Sequence, residues 1–130
     1  MPLERLDHVL VLTDDIEATK AFYCDALGFE VGNRPPFAFS GYWLYLDGAP
    51  CLHVADRAEY EAEAARLRLA VGSAVDHVAF GGSDYDALVE RLEAAGVDAV
   101  SNEVPGVLRQ LYLTDPNGVR IELNVPVPGT

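Results

Sequence analysis

The sequence predicts an α+β protein built from two copies of one β-α-β-β-β module, and three observations predict it. Leu6-Asp7-His8-Val9-Leu10-Val11 returns as Val75-Asp76-His77-Val78-Ala79-Phe80, with His8 and His77 69 residues apart. The far ends match at the same spacing, Leu52-His53-Val54 against Ile121-Glu122-Leu123. Between them each copy carries a helical pattern closed by glycine, residues 15–27 before Gly28 and 84–95 before Gly96. A repeat of this kind implies that each half needs the other to bury its apolar face.

The elements follow in order. His8 and His77 sit in apolar, β-branched runs bounded by polar turns, the pattern of a buried strand. In the first helix Ile16, Phe22, Tyr23, Ala26 and Leu27 share a face. Asp14 with Glu17 three residues on gives its cap, and Gly28 its stop. Residues 32–41, with Arg34-Pro35-Pro36-Phe37, break any regular period and read as a loop bordering a cleft. Asp47-Gly48 and Asp115-Pro116-Asn117-Gly118 are turns between strand runs. Residues 55–70, rich in Ala, Glu, Arg and Leu, form a connector helix ending near Gly72. Ser83 with Asp86 caps the second module's helix, which turns Tyr85, Leu88, Val89 and Leu92 inward. Residues 1–130 are thus one domain: module one about 4–55, connector about 56–71, module two about 74–126.

Composition narrows the function. With 50% hydrophobic and 23% charged residues among 130, the chain can bury a core. Nine Lys+Arg against twenty-one Asp+Glu give a formal charge of −12, which excludes an unselective nucleic-acid or anionic-membrane binder. No run reaches the apolar length of a membrane span. Met1-Pro2-Leu3-Glu4-Arg5-Leu6-Asp7 has no apolar core of a secretory signal, and Cys24 and Cys51 read as reduced thiols. The expected compartment is the cytoplasm.

All three histidines, His8, His53 and His77, fall on predicted strands, and Glu122 occupies the fourth equivalent place. Period-two alternation sets His53 opposite Leu52 and Val54, and Glu122 opposite Ile121 and Leu123. Taken singly, each histidine is more simply a core residue; the matched flanks of the set argue otherwise. Imidazoles and a carboxylate projecting into a common cleft need a partner, and a divalent metal supplies one. This donor set suits iron, zinc, nickel, cobalt or manganese better than magnesium or calcium. Cys51 shares the His53 face and reads as a small buried residue. Arg109 and Tyr112 are candidates for a substrate carboxylate or hydroxyl. Arg120 and Asn124 alternate with Glu122 on its face and are candidates to orient it. Asp7 and Asp76 read as structural, and Gly81-Gly82-Ser83 as a turn without a phosphate-loop context.

These motifs resemble the vicinal oxygen chelate superfamily of glyoxalase I, methylmalonyl-CoA epimerase, extradiol dioxygenases and bleomycin-type antibiotic-resistance proteins. The resemblance runs from Leu6 to Asn124. It rests on the paired modules, the Leu6-Asp7-His8-Val9 start, Phe22-Tyr23 with Leu27-Gly28-Phe29, and above all Asp115-Pro116-Asn117-Gly118-Val119-Arg120-Ile121-Glu122-Leu123. It implies an open barrel-like sheet around a metal cleft, with His8, His53, His77 and Glu122 as ligands. It also implies a homodimer in which the site lies within one chain or across two, and a small-molecule substrate with adjacent oxygens.

The resemblance leaves three chemistries open. A glyoxalase- or epimerase-like lyase or isomerase would use Glu122 and His53 to move a proton next to a chelated carbonyl. At position 53 this chain has His where glyoxalase I resemblance leads one to expect Glu. An extradiol-type iron(II) dioxygenase would use His8, His77 and Glu122 as a facial triad, with His53 as acid or base. There Arg34, Phe37, Phe39, Tyr42 and Trp43 would wall a flat substrate. A metal-assisted antibiotic-binding protein is the third. The expected reading is the lyase or isomerase, with Arg34, Phe37, Trp43 and Arg109 binding substrate.

Overall fold

The computed structural model describes residues 5–69, 72, 75 and 77–128. Module one runs β1 (Val9–Thr13), α1 (Ile16–Leu27), β2 (Glu30–Gly32), β3 (Gly41–Leu46) and β4 (Ala49–Asp56). The connector α2 (Arg57–Arg66) follows, then β5 (His77–Gly81), α3 (Tyr85–Ala94), β6 (Val100–Val104), β7 (Leu108–Thr114) and β8 (Arg120–Pro126). The strands form two four-stranded sheets, ordered β1-β4-β3-β2 and β5-β8-β7-β6. In each, the first and last strands pair in parallel and the other pairs are antiparallel. The sheets do not close into a barrel.

The repeat holds at the level of register. Leu10 pairs with His53 and Ala79 with Glu122, while Trp43 faces His53 and Tyr112 faces Glu122. Every one of these equivalences keeps the 69-residue spacing.

Alternation decides which face each sheet buries. Leu44, Leu52 and Val54 of the first sheet and Leu111, Leu113, Ile121 and Leu123 of the second are buried in one core with Tyr23, Ala26, Phe29 and Leu92. α1 packs against α3, so the helix-covered sides of the two modules meet. Ile16, Phe22 and Leu27, and Tyr85, Leu88 and Val89, line that core as their helical spacing predicts. The opposite face of each sheet carries the odd-numbered residues of β3 and β4 and the even-numbered residues of β7 and β8.

Two caps differ from expectation by one residue. Asp15, not Asp14, accepts the Ala18 amide, because the Thr13 hydroxyl binds Asp15 N–H and turns the chain there. Asp84, not Ser83, accepts from Ala87 N. Gly28 ends α1 at φ 81, where a side chain would be strained. α2 is shorter than the expected connector; residues 70 and 71 of that stretch lie outside the described residues.

Polar contacts join the modules through this core. The buried Tyr23 hydroxyl donates to Asp115 Oδ2 at 2.8 Å, and Asn117 Nδ2 donates to Thr19 Oγ1 at 2.9 Å. Arg91 Nη2 reaches the Cys24 carbonyl, and Phe29 packs edge-on against Phe80 at 5.5 Å. Burial raises the Tyr23 phenol well above its usual range, and the Asp115 carboxylate adds to this. Replacing Tyr23 by Phe leaves a buried carboxylate oxygen without its donor. We expect Tyr23→Phe to lose about 1.5–3 kcal/mol, read as a lowered urea midpoint with an unchanged slope.

Candidate metal centre

The candidate ligands lie on the two faces that the core does not use. On the first sheet the His8 and His53 rings stack at 3.9 Å between centroids, with planes 14° apart. Trp43, the cross-strand partner of His53, covers its other face at 4.2 Å. The close approach of β3 to β4 that permits this begins at Gly41, where a Cβ would lie 2.0 Å from the Val54 carbonyl oxygen. His8 immediately precedes β1, and its Nδ1 contacts Asp7 Oδ2 at 2.9 Å. Asp7 thus touches the candidate ligand through Nδ1, the kind of contact by which a carboxylate orients an imidazole. Asp76, its counterpart, lies outside the described residues. His53 Nε2 donates to the Pro50 carbonyl at 3.0 Å.

The second sheet presents His77 at the start of β5 and Glu122 in β8. Asn124 Nδ2 donates to Glu122 Oε2 at 2.8 Å, the support its place on that face predicts. Oε1 has no hydrogen-bond partner among the described residues. Gln110 Nε2 holds Asn124 Oδ1 at 3.0 Å, and the Tyr112 hydroxyl and Asn102 amide both donate to Gln110 Oε1. Gln110 was not among the predicted site residues. Its signal was available, since Gln110 and Tyr112 alternate with the apolar Leu111 and Leu113. Arg120 Nη2 lies 3.4 Å from His77 Nδ1.

Phe37 and Trp43 adjoin the first half: their rings are 6.1 Å apart, and the Arg34 guanidinium lies over Phe37 at 5.0 Å. Arg109 does not join the second. It shares the parity of Leu111 and Leu113, and its guanidinium stacks on Tyr85 of α3, 3.5 Å from the ring centroid. Tyr42 likewise turns to the helical side, where its hydroxyl binds Glu17. Cys51 is half-buried at the edge of the core.

Each half therefore offers two donors, and the core separates the halves. Among the described residues no three His, Cys, Asp or Glu side chains gather as a metal site. Clefts of about 710 and 500 Å³, the first between α1 and α3, contain none of the four candidate ligands. By donor chemistry the set of three imidazoles and one carboxylate fits a first-row divalent cation.

The model of the Glyoxalase/Bleomycin resistance protein/Dioxygenase superfamily matches residues 5–123. The chain belongs to this superfamily. It is 30% identical over 125 residues to a protein named Glyoxylase I 4 from Arabidopsis thaliana, across 93% of this chain and 70% of that one. Two solved structures share the superfamily fold at lower identity. A lactoylglutathione lyase from Agrobacterium tumefaciens matches with TM-score 0.73 at 23% identity, covering 96% of each chain. An antibiotic binding protein from Streptomyces matches with TM-score 0.72 at 23%, covering 98% of this chain and 99% of that one. Glyoxalase-superfamily members thus include both enzymes and binding proteins. Among the described residues no helix is long and apolar enough to cross a membrane.

Burial, reinforced by the neighbouring His8, holds the His53 imidazole below the ordinary value of 6.5. The folded value lies below the unfolded one. His53 therefore contributes stability above about pH 6.5 that is lost as pH falls through the lowered folded value. In a ring-proton titration by NMR, His53 is expected to show an acid-shifted midpoint that moves back toward the ordinary value in His8→Gln. A wild-type midpoint at or above 6.5 contradicts this account.

Proposed function

We propose that this protein is a divalent-metal-dependent lyase or isomerase whose centre is assembled from two copies. His8 and His53 of one protomer would meet the partner's His77 and the partner's Glu122. The observation that carries the reading is the placement of two donors on each outward face, with a common core between. A first-row divalent cation held there supplies Lewis-acid charge to the oxygen of a bound carbonyl. Glu122 takes the proton from the carbon next to that carbonyl and returns it. Asn124 fixes one carboxylate oxygen and leaves Oε1 for this work. The likeness to Glyoxylase I 4 supports chemistry of this class.

A second reading has its own observation. His53 Nε2 is engaged by the Pro50 carbonyl and its ring is clamped by Trp43, which suits an acid or base beside the metal better than a ligand. His8, His77 and Glu122 would then be the facial triad of an iron(II) ring-cleaving dioxygenase.

Complementation tests the assembly. His8→Ala and Glu122→Ala each remove a ligand common to both readings. Each alone should lose metal by plasma mass spectrometry. Refolded together in equal amounts, they should regain about a quarter of wild-type metal per chain, since half the dimers are mixed and each has one intact site. No regain, with dimers present, places the site within one chain and overturns the shared centre. His53→Ala separates the chemistries: loss of metal supports the four-ligand isomerase, and iron retained at wild-type occupancy supports the dioxygenase.

A further inference from the structure

The loop between β2 and β3 leaves an aromatic surface uncovered beside His53. Phe37 is 43% exposed, although it stacks on Phe39 at 5.2 Å with planes 4° apart. From Phe37 the surface continues to Trp43, then to His53 and His8, each ring against the next. Arg34 is fixed at its edge. Its Nη2 donates to the Phe39 carbonyl at 2.6 Å, and its guanidinium carbon lies 5.0 and 5.4 Å from the Phe37 and Phe39 ring centroids. Among the described residues no carboxylate pairs with Arg34, in a chain holding twenty-one acids against nine Lys+Arg. A guanidinium pinned in place and lacking a counter-charge, next to rings that are still partly exposed, complements a molecule that is both flat and anionic. A bulky aliphatic acid would satisfy the charge and forgo the rings; a neutral arene would do the reverse.

We propose that this surface is the substrate subsite of the metal centre, and that it takes a planar aromatic molecule carrying a carboxylate or phenolate. Its ring lies against Phe37 and Trp43, and its anionic group faces Arg34. That the bound molecule is a substrate rests on the metal-centre reading; the binding rests on Arg34, Phe37 and Trp43 alone.

Equilibrium dialysis of the full chain tests it with three probes: 2-naphthoate, cyclohexanecarboxylate and 2-naphthylmethanol, on metal-loaded and chelator-stripped protein. Trp43 is the single tryptophan, so a change in its emission is a second readout. The expected result is naphthoate binding at least about tenfold tighter than either other probe. Arg34→Gln should bring naphthoate down to the level of naphthylmethanol, and Arg34→Lys should recover part of the loss. Phe37→Ala should weaken both naphthyl compounds. Circular dichroism on each variant confirms that it is folded. Equal binding of naphthoate and cyclohexanecarboxylate, or unchanged naphthoate binding in folded Arg34→Gln, overturns the proposal. Metal content on the same samples keeps the two readings apart. Selective naphthoate binding by protein that takes up no metal sinks the metal centre and leaves the subsite; the reverse sinks the subsite and leaves the metal.

Discussion

The fold turns on one buried carboxylate. Asp115 Oδ1 accepts the backbone amides of Asn117 and Val119, which shapes the β7–β8 turn, while Oδ2 accepts the Tyr23 hydroxyl from the other module. A single side chain thus builds a turn in module two and docks the helix of module one upon it. Asn117, positioned by that turn, adds a second tie to Thr19. Because the docking uses α1, the helix-covered sides face inward and both sheets turn their polar-bearing faces out. The distribution of His8, His53, His77 and Glu122 follows from this contact as directly as from the strands that carry them.

Within that frame the two modules put different chemistry on equivalent backbone. Trp43 and Tyr112 occupy matching places, yet Trp43 stacks on its cross-strand imidazole while Tyr112 sends its hydroxyl to Gln110. The first half is organised by ring stacking, which buries His53 and disfavours its charge. The second is organised by amide hydrogen bonds, which hold a carboxylate with one oxygen open. One scaffold therefore yields a half built on stacked rings and a half built on side-chain hydrogen bonds around a carboxylate.

What could be read from the sequence was local or periodic. The module order, the inward helix faces and the Asp115-Pro116-Asn117-Gly118 turn needed only spacing and turn chemistry. The faces of His53 and Glu122 needed only the buried neighbours on either side. Arg109 was misplaced because its nearness in sequence to the Glu122 strand outweighed its parity with Leu111 and Leu113. The α1 cap slipped by one because Thr13, outside the helix, takes the Asp15 amide, while in α3 it is Asp84 that accepts the Ala87 amide. The side-by-side docking of the modules was not legible, since it depends on a contact between residues 23 and 115 that no local pattern announces. The family resemblance had left open whether the ligands share a chain, and only that docking bears on it.

The unlike halves also constrain how copies of this chain can recognise one another. Two first-sheet faces brought together would set imidazole against imidazole. Two second-sheet faces would oppose Glu122 carboxylates in a protein already carrying a charge of −12. An unlike pairing puts the Glu122 carboxylate opposite His8 and His53, and in the proposed shared centre a two-fold arrangement would satisfy it twice. Under the proposed shared centre, divergence between the repeats would favour the meeting of unlike faces over like ones, and so would limit how many copies can join.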